Sequence, residues 1–267
     1  MNITVLGLLF GLLLLALPLY VIYHFKLRVM HRFLMSMVRM VIGVALMSLI
    51  VYGAVCLNSI VYDIVALIVL SLLSALFALN KARLRVGKLL IPVGIGVIVA
   101  LAFVSFYVLL LVFGEKNPFI QHLFIPVIGL VSGSMVAIDA KALQSYYSGL
   151  LYHNQLYNYL LGNGASHREA VRYFVKRSLE ASIVAASKQM SSIVFVSAPV
   201  LLLAMVMCGA NLFMAATFQV LFYIVVLAAS LISLCLTLLI GRKYSFDEYE
   251  RLKNVYGSEE KAVSTDE

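Results

Sequence analysis

The sequence is poor in charge. Only 12% of its 267 residues are Asp, Glu, Lys or Arg, against 63% hydrophobic, with a mean hydropathy of +1.04. A water-facing domain of this length carries about 25% charged residues, so a soluble globule is excluded. Cysteine is also scarce: Cys56, Cys208 and Cys235 sit unspaced within apolar runs, which excludes a thiolate metal cluster and predicts buried, inert thiols. Five scattered histidines form no HExxH pair, Gly129 to Gly133 does not have the spacing of a nucleophile elbow, and Gly87-Lys88 lacks the upstream glycine of a phosphate-binding loop. A metal-dependent hydrolase, a serine hydrolase and an ATPase are thereby disfavoured. The chain is expected not to be an enzyme, to hold no cofactor of its own and to have no metal site that can be assigned.

What is present is a series of uncharged runs, at 1–25, 40–62, 64–80, 89–114, 117–138 and 189–241. A crossing of the bilayer as a helix takes about 20 residues. The last run, 53 residues long, therefore divides at Gly209-Ala210-Asn211 into two. The expectation is an all-α polytopic membrane protein with about seven transmembrane helices, near 3–23, 39–58, 62–80, 89–113, 122–145, 188–208 and 214–240. The short alternating segments of a membrane barrel do not occur. The stretch from His24 to Arg39 mixes apolar and basic residues and reads as an amphipathic helix in the inner interface.

The net charge of +8 is set by placement rather than by an affinity for nucleic acid. With the N-terminus outside and the C-terminus cytosolic, 19 of the 20 Lys and Arg residues fall on the cytosolic side and only Lys116 outside, as the retention of basic loops in the cytoplasm requires. The first helix has no basic n-region and exceeds the length of a signal-peptide core, so it is expected to remain as an anchor. Residues 1–245 form the membrane domain and 246–267 an acidic cytosolic tail, partly disordered, whose start over 246–252 reads as a short helix.

One long polar excursion, 140–188, separates the fifth and sixth helices. A helical pattern runs to Leu161 and stops at Gly162-Asn163-Gly164, where a left-handed residue would end it. A second helix starts at Ser166, and Ser166-His167-Arg168-Glu169 fits a capping box. The corner is either a connector or a stiff knob for a cytosolic motor. For the second role Gly164 and Ala165 would admit a partner surface close to the backbone, and Gly162, Ser166 and Glu169 would hold the bend.

Within the helices, Gly129 and Gly133 share a face suited to close helix packing or to lining a pore. Ser187 and Ser191 form a hydroxyl face open to the same two readings, and Ser178 and Ser182 a separate pair. Met190, Met205, Met207 and Met214 read as core filling. Asp139 and Lys188 are candidates for a gate or ion pair, set against two solvated interfacial charges, and Asp63 is read in the same way.

The chain resembles the ABC-transporter permeases that include bacterial iron-export and plant aluminium-tolerance permeases. The resemblance is carried by Ile125-Pro126-Val127-Ile128-Gly129-Leu130-Val131-Ser132-Gly133, by Leu160 to Ser166 with Ala170, and by Ser178, Ala181, Ser197, Pro199, Gly209, Ala215 and Gln219 in one register. It implies a homodimeric permease in the cytoplasmic (inner) membrane, driven by separate ABC ATPase subunits that bind ATP and Mg, with the Gly-Ala-Ser corner as the coupling contact. The expected activity is export of a metal ion or other small solute. A stand-alone secondary transporter or channel is the alternative. The chain departs from the family pattern at Lys188, where an acidic residue is usual, at Ala198-Pro199-Val200-Leu201-Leu202, and at Asn211-Leu212 in place of Asp-Pro. An ammonium repels a metal cation, so architecture carries over more firmly than substrate.

Overall fold

The computed structural model describes residues 13, 16–25, 30–57, 59–114, 116–117, 119, 121–193, 199–247 and 252–253. Every regular element among them is a helix: α1 (Ala16–His24), α2 (Met30–Leu57), α3 (Ile60–Lys81), α4 (Val86–Tyr107), α5 (Gln121–Tyr152), α6 (Asn154–Gly162), α7 (His167–Ser191), α8 (Val200–Met207) and α9 (Leu212–Ser245). Five spans among them are long and apolar enough to cross a bilayer: Phe33–Leu57, Ile60–Lys81, Leu89–Val112, Leu123–Tyr152 and Leu212–Ser245. The fold is thus an all-α polytopic membrane protein.

The chain divides into two compact units, Met1–Gly53 and Ala54–Glu267. In the first, the ring of Tyr20 stacks on His24 at 5.6 Å along α1. Most of the expected first crossing, 3–23, lies outside the described residues. From Met30 onward the expected interfacial segment is not separate, because α2 runs without a break into the second crossing. No proline interrupts it, and nothing else in the local sequence ends a helix there.

In the second unit, α5 is the central helix and packs against α3, α7 and α9, while α4 lies mainly against α9 and α3. Its core is built from Leu79, Leu101, Phe124, Ile128, Ile138 and Phe174, all at most 1% exposed. The turn between α3 and α4 is closed by Leu84 N–H donating to the Leu79 carbonyl at 3.0 Å, with Arg83 left-handed at φ 57°. α4 ends in a π-helical turn, Val108–Val112. That turn, with Phe113, Phe213, Met214, Thr217, Phe218 and Leu221, lines an apolar groove.

Two expectations are corrected. The sixth crossing, 188–208, is not one continuous helix: α7 ends at Ser191 and a new helix starts only at Val200, after Pro199 at the N-cap, with 194–198 outside the described residues. Proline cannot donate a helical hydrogen bond and disfavours helix in the residue before it. The three cysteines are exposed rather than buried, as suits a helix surface turned toward lipid. Phe246 and Leu252 form an isolated antiparallel bridge; most of the short helix expected over 246–252 lies outside the described residues.

Candidate functional site

The corner forms where α6 ends on Gly162 and Gly164 adopts φ +84°. Ala165 N–H donates to the Leu160 carbonyl at 3.1 Å and Gly164 N–H to that of Leu161 at 3.0 Å, which closes the last turn of α6. Nothing lies within 4 Å of the position where Gly162 or Gly164 would carry a Cβ. Ser166, extended at φ −65° and ψ 154°, caps α7 through a capping box with Glu169. The Glu169 carboxylate accepts from the Ser166 backbone N–H at 2.8 Å and from its hydroxyl at 2.9 Å. These two bonds, the backbone one first, hold the Glu169 carboxyl below its ordinary value. Gly162, Gly164, Ser166 and Glu169 are all exposed, and Ala165 is half-buried.

Beneath the corner lies a contact that sequence reasoning missed. The Tyr157 hydroxyl of α6 and His167 Nδ1 of α7 are hydrogen-bonded at 2.8 Å, and the His167 ring meets Phe246 edge-on at 4.6 Å. Phe246 follows directly on α9 and is held there by Lys253 N–H donating to the Ser245 carbonyl at 2.8 Å and by the bridge to Leu252. The Tyr147 hydroxyl of α5 reaches Ser245 Oγ at 2.8 Å. The exposed corner is therefore tied to the C-terminal ends of both α5 and α9.

The second polar feature lies deeper. Asp139 of α5 is 2% exposed and does not pair with Lys188, which is exposed; its Oδ2 accepts from Ser233 Oγ of α9 at 3.1 Å. The gate pair expected between Asp139 and Lys188 is thus replaced by a helix-to-helix hydrogen bond, Asp139 being buried in the core while Lys188 is exposed. Ser233 belongs to a stripe of small side chains on α9, Ala229, Ser233, Thr237, Gly241 and Ser245, all buried. Gly96 of α4 packs directly against it at Thr237 Oγ1 and the Ser233 backbone. This four-residue spacing was legible in the sequence as a contact face.

The other candidates stand apart from these features. Gly133 is exposed with nothing within 4 Å of a Cβ, and Gly129 is half-buried, so within one chain this face holds no close crossing at Gly133. Ser187 and Ser191 are exposed, whereas Ser178 and Ser182 are fully buried; the Ser178 hydroxyl donates to the Ala142 carbonyl at 2.9 Å. Pro199 stands half-buried at the start of α8, where Leu202 N–H donates to the buried Gln219 Oε1 of α9 at 3.0 Å. Asp63 is 1% exposed, without a hydrogen-bond partner for either oxygen. Among the described residues no three His, Cys, Asp or Glu side chains are grouped to hold a metal.

A family model described as an uncharacterised protein family, UPF0014, matches residues 5–246. No curated protein and no solved structure matches the chain.

Proposed function

The chain belongs to the UPF0014 family, and we propose that it is the membrane-spanning permease subunit of an ABC transporter, driven by a separate cytosolic ATPase. The observation that carries this reading is the corner at 162–169. It is exposed, has glycines at 162 and 164 with open space where a Cβ would stand, is stiffened by a capping box, and is tied through Tyr157, His167 and Phe246 to the end of α9. A motor can push on such a corner and move two membrane helices, because a rigid contact transmits displacement where a flexible loop absorbs it.

In this reading the permease sits in the cytoplasmic membrane as a homodimer, with its N-terminus outside and its C-terminus cytosolic. It exports a metal ion or another small solute, and ATP and Mg bind only in the partner. The Gly133 face, open in one chain, is available to the second copy.

A stand-alone secondary transporter is the competing reading. It is favoured by the interruption between α7 and α8 and by the buried Asp139, since broken helices and buried ionisable groups mark ion-coupled carriers. Co-expression with a candidate ABC ATPase, such as any encoded in a neighbouring reading frame, separates the two. The permease reading expects co-purification and ATP turnover stimulated by the chain, with Gly164→Trp abolishing one or both while membrane insertion stays normal. Unchanged association and turnover in Gly164→Trp would reduce the corner to a connector, and no association at all would favour the secondary transporter.

A further inference from the structure

We propose that Asp139, together with Ser233 and Ser182, forms a buried site for one positive charge, taken up as a proton or a monovalent cation. Asp139 of α5 follows directly on the uncharged run 117–138 and is 2% exposed. Among the described residues only one of its oxygens is engaged: Oδ2 accepts from Ser233 Oγ, while Oδ1 is buried with no hydrogen-bond partner. Ser182 Oγ is likewise buried with no partner.

Helix register brings these unsatisfied groups to the same level. Phe174 of α7 lies against Gly149 of α5, and one turn on Ser178 bonds the Ala142 carbonyl, so the two helices run antiparallel. The next turn of α7 carries Ser182 to the level of Asp139. From the third side α9 brings Ser233, pressed into place by Gly96 of α4. Ser233 thus bonds Asp139 directly, and the register sets the buried Ser182 hydroxyl at about the same level on α7.

Among the described side chains of the surrounding elements none supplies the missing charge. Lys141 on α5 itself, Lys81 on α3, Arg168, Arg172, Arg177 and Lys188 on α7 and Lys243 on α9 are exposed. Glu180 of α7 is exposed and pairs with Lys176 at 3.8 Å. Asp63 lies in the first turn of α3, α4 has no charged residue beyond Lys88, and α6 has no Asp, Glu, Lys or Arg. Arg242 follows Ser233 on α9 by more than two turns. A carboxylate sealed from water without a counter-charge is costly, so the site is complete only when a positive charge enters. One carboxylate balances one charge; a divalent ion would leave an excess positive charge buried. Oxygen donors of this kind suit a proton or a hard alkali cation.

Only the role of this site in transport rests on the permease reading; its occupancy rests on the packing around Asp139. The test is infrared difference spectroscopy of the full chain in lipid nanodiscs, wild type minus Asp139→Asn, in a buffer free of alkali ions. The expected result is the carbonyl band of a protonated carboxyl at neutral pH, assigned by its loss in Asp139→Asn. Replacement of that band by carboxylate bands on adding Na⁺ or K⁺ identifies an alkali cation as the occupant, and insensitivity to both identifies a proton. Carboxylate bands from Asp139 in the absence of alkali ions, or a change produced by Mn²⁺ alone, would overturn the proposal. Should Asp139→Asn fail to assemble, Ser233→Ala is expected to shift the same band by removing its hydrogen bond, and an unmoved band would count equally against the site. Failure of ATPase association with the band present would remove the permease reading and leave the site standing.

Discussion

Gly96 of α4 and Thr237 of α9 meet at a crossing with no room for a side chain: a Cβ on Gly96 would run into Thr237 Oγ1 and lie 2.8 Å from the Ser233 carbonyl oxygen. Both obstacles belong to a packed helix, one of them to its backbone. Gly96→Ala must push α9 away from α4 and is expected to cost about 1–3 kcal/mol. Thermal unfolding in detergent, read as a lowered midpoint relative to Gly133→Ala, checks this. The Gly133 change meets open space within one chain, so equal midpoints would show that the crossing yields.

Gln219 accepts from one of the α8 amides that no preceding turn can satisfy. Replacing it with Leu leaves Leu202 N–H without that acceptor in an apolar setting, a loss of about 1–3 kcal/mol. Amide exchange at residues 200–204 should accelerate in Gln219→Leu while the core of α9 keeps its protection. Unchanged exchange in α8 would mean that the bond contributes nothing.

The capping box makes the corner acid-sensitive. Because the folded corner holds the Glu169 carboxyl below its ordinary value, the stabilisation is complete above the unfolded value and is lost as pH falls through the lower, folded one. Amide exchange over 164–170, compared between wild type and Glu169→Gln at each pH, should differ most at neutral pH and converge in acid. A difference constant with pH would assign the effect to something other than ionisation.

Phe246 is 6% exposed and touches both His167 and Tyr157. Phe246→Ala is expected to loosen the clasp by about 3 kcal/mol, and Tyr157→Phe, which removes one hydrogen bond, by about 1 kcal/mol. Proteolytic nicking at 162–165 should rise in that order. If the clasp transmits force, Phe246→Ala should also lower ATPase stimulation while association persists.

Much of this was legible in the residues. Charge-free runs of membrane length placed five of the expected crossings, and Gly164 and Ser166 to Glu169 marked the corner because left-handed backbone and capping are local properties with local signatures. The sixth crossing was misread because hydropathy counts apolar residues and ignores the missing N–H of Pro199. The face of α9 from Ala229 to Ser245 is a four-residue repeat of small residues, but Ala, Ser and Thr mark close packing less sharply than the glycines at 129 and 133.

Sequence by itself determined the membrane class, the helix content and the corner, because each depends on composition or on contacts within a few residues. Tertiary structure decided which polar groups face one another. That Asp139 meets Ser233 and not Lys188, that His167 lies between Tyr157 and Phe246, and that Gly96 seats on Thr237 all follow from the rotation of each helix about its axis. In a bilayer that rotation is set by side-chain packing between helices, which no single segment encodes.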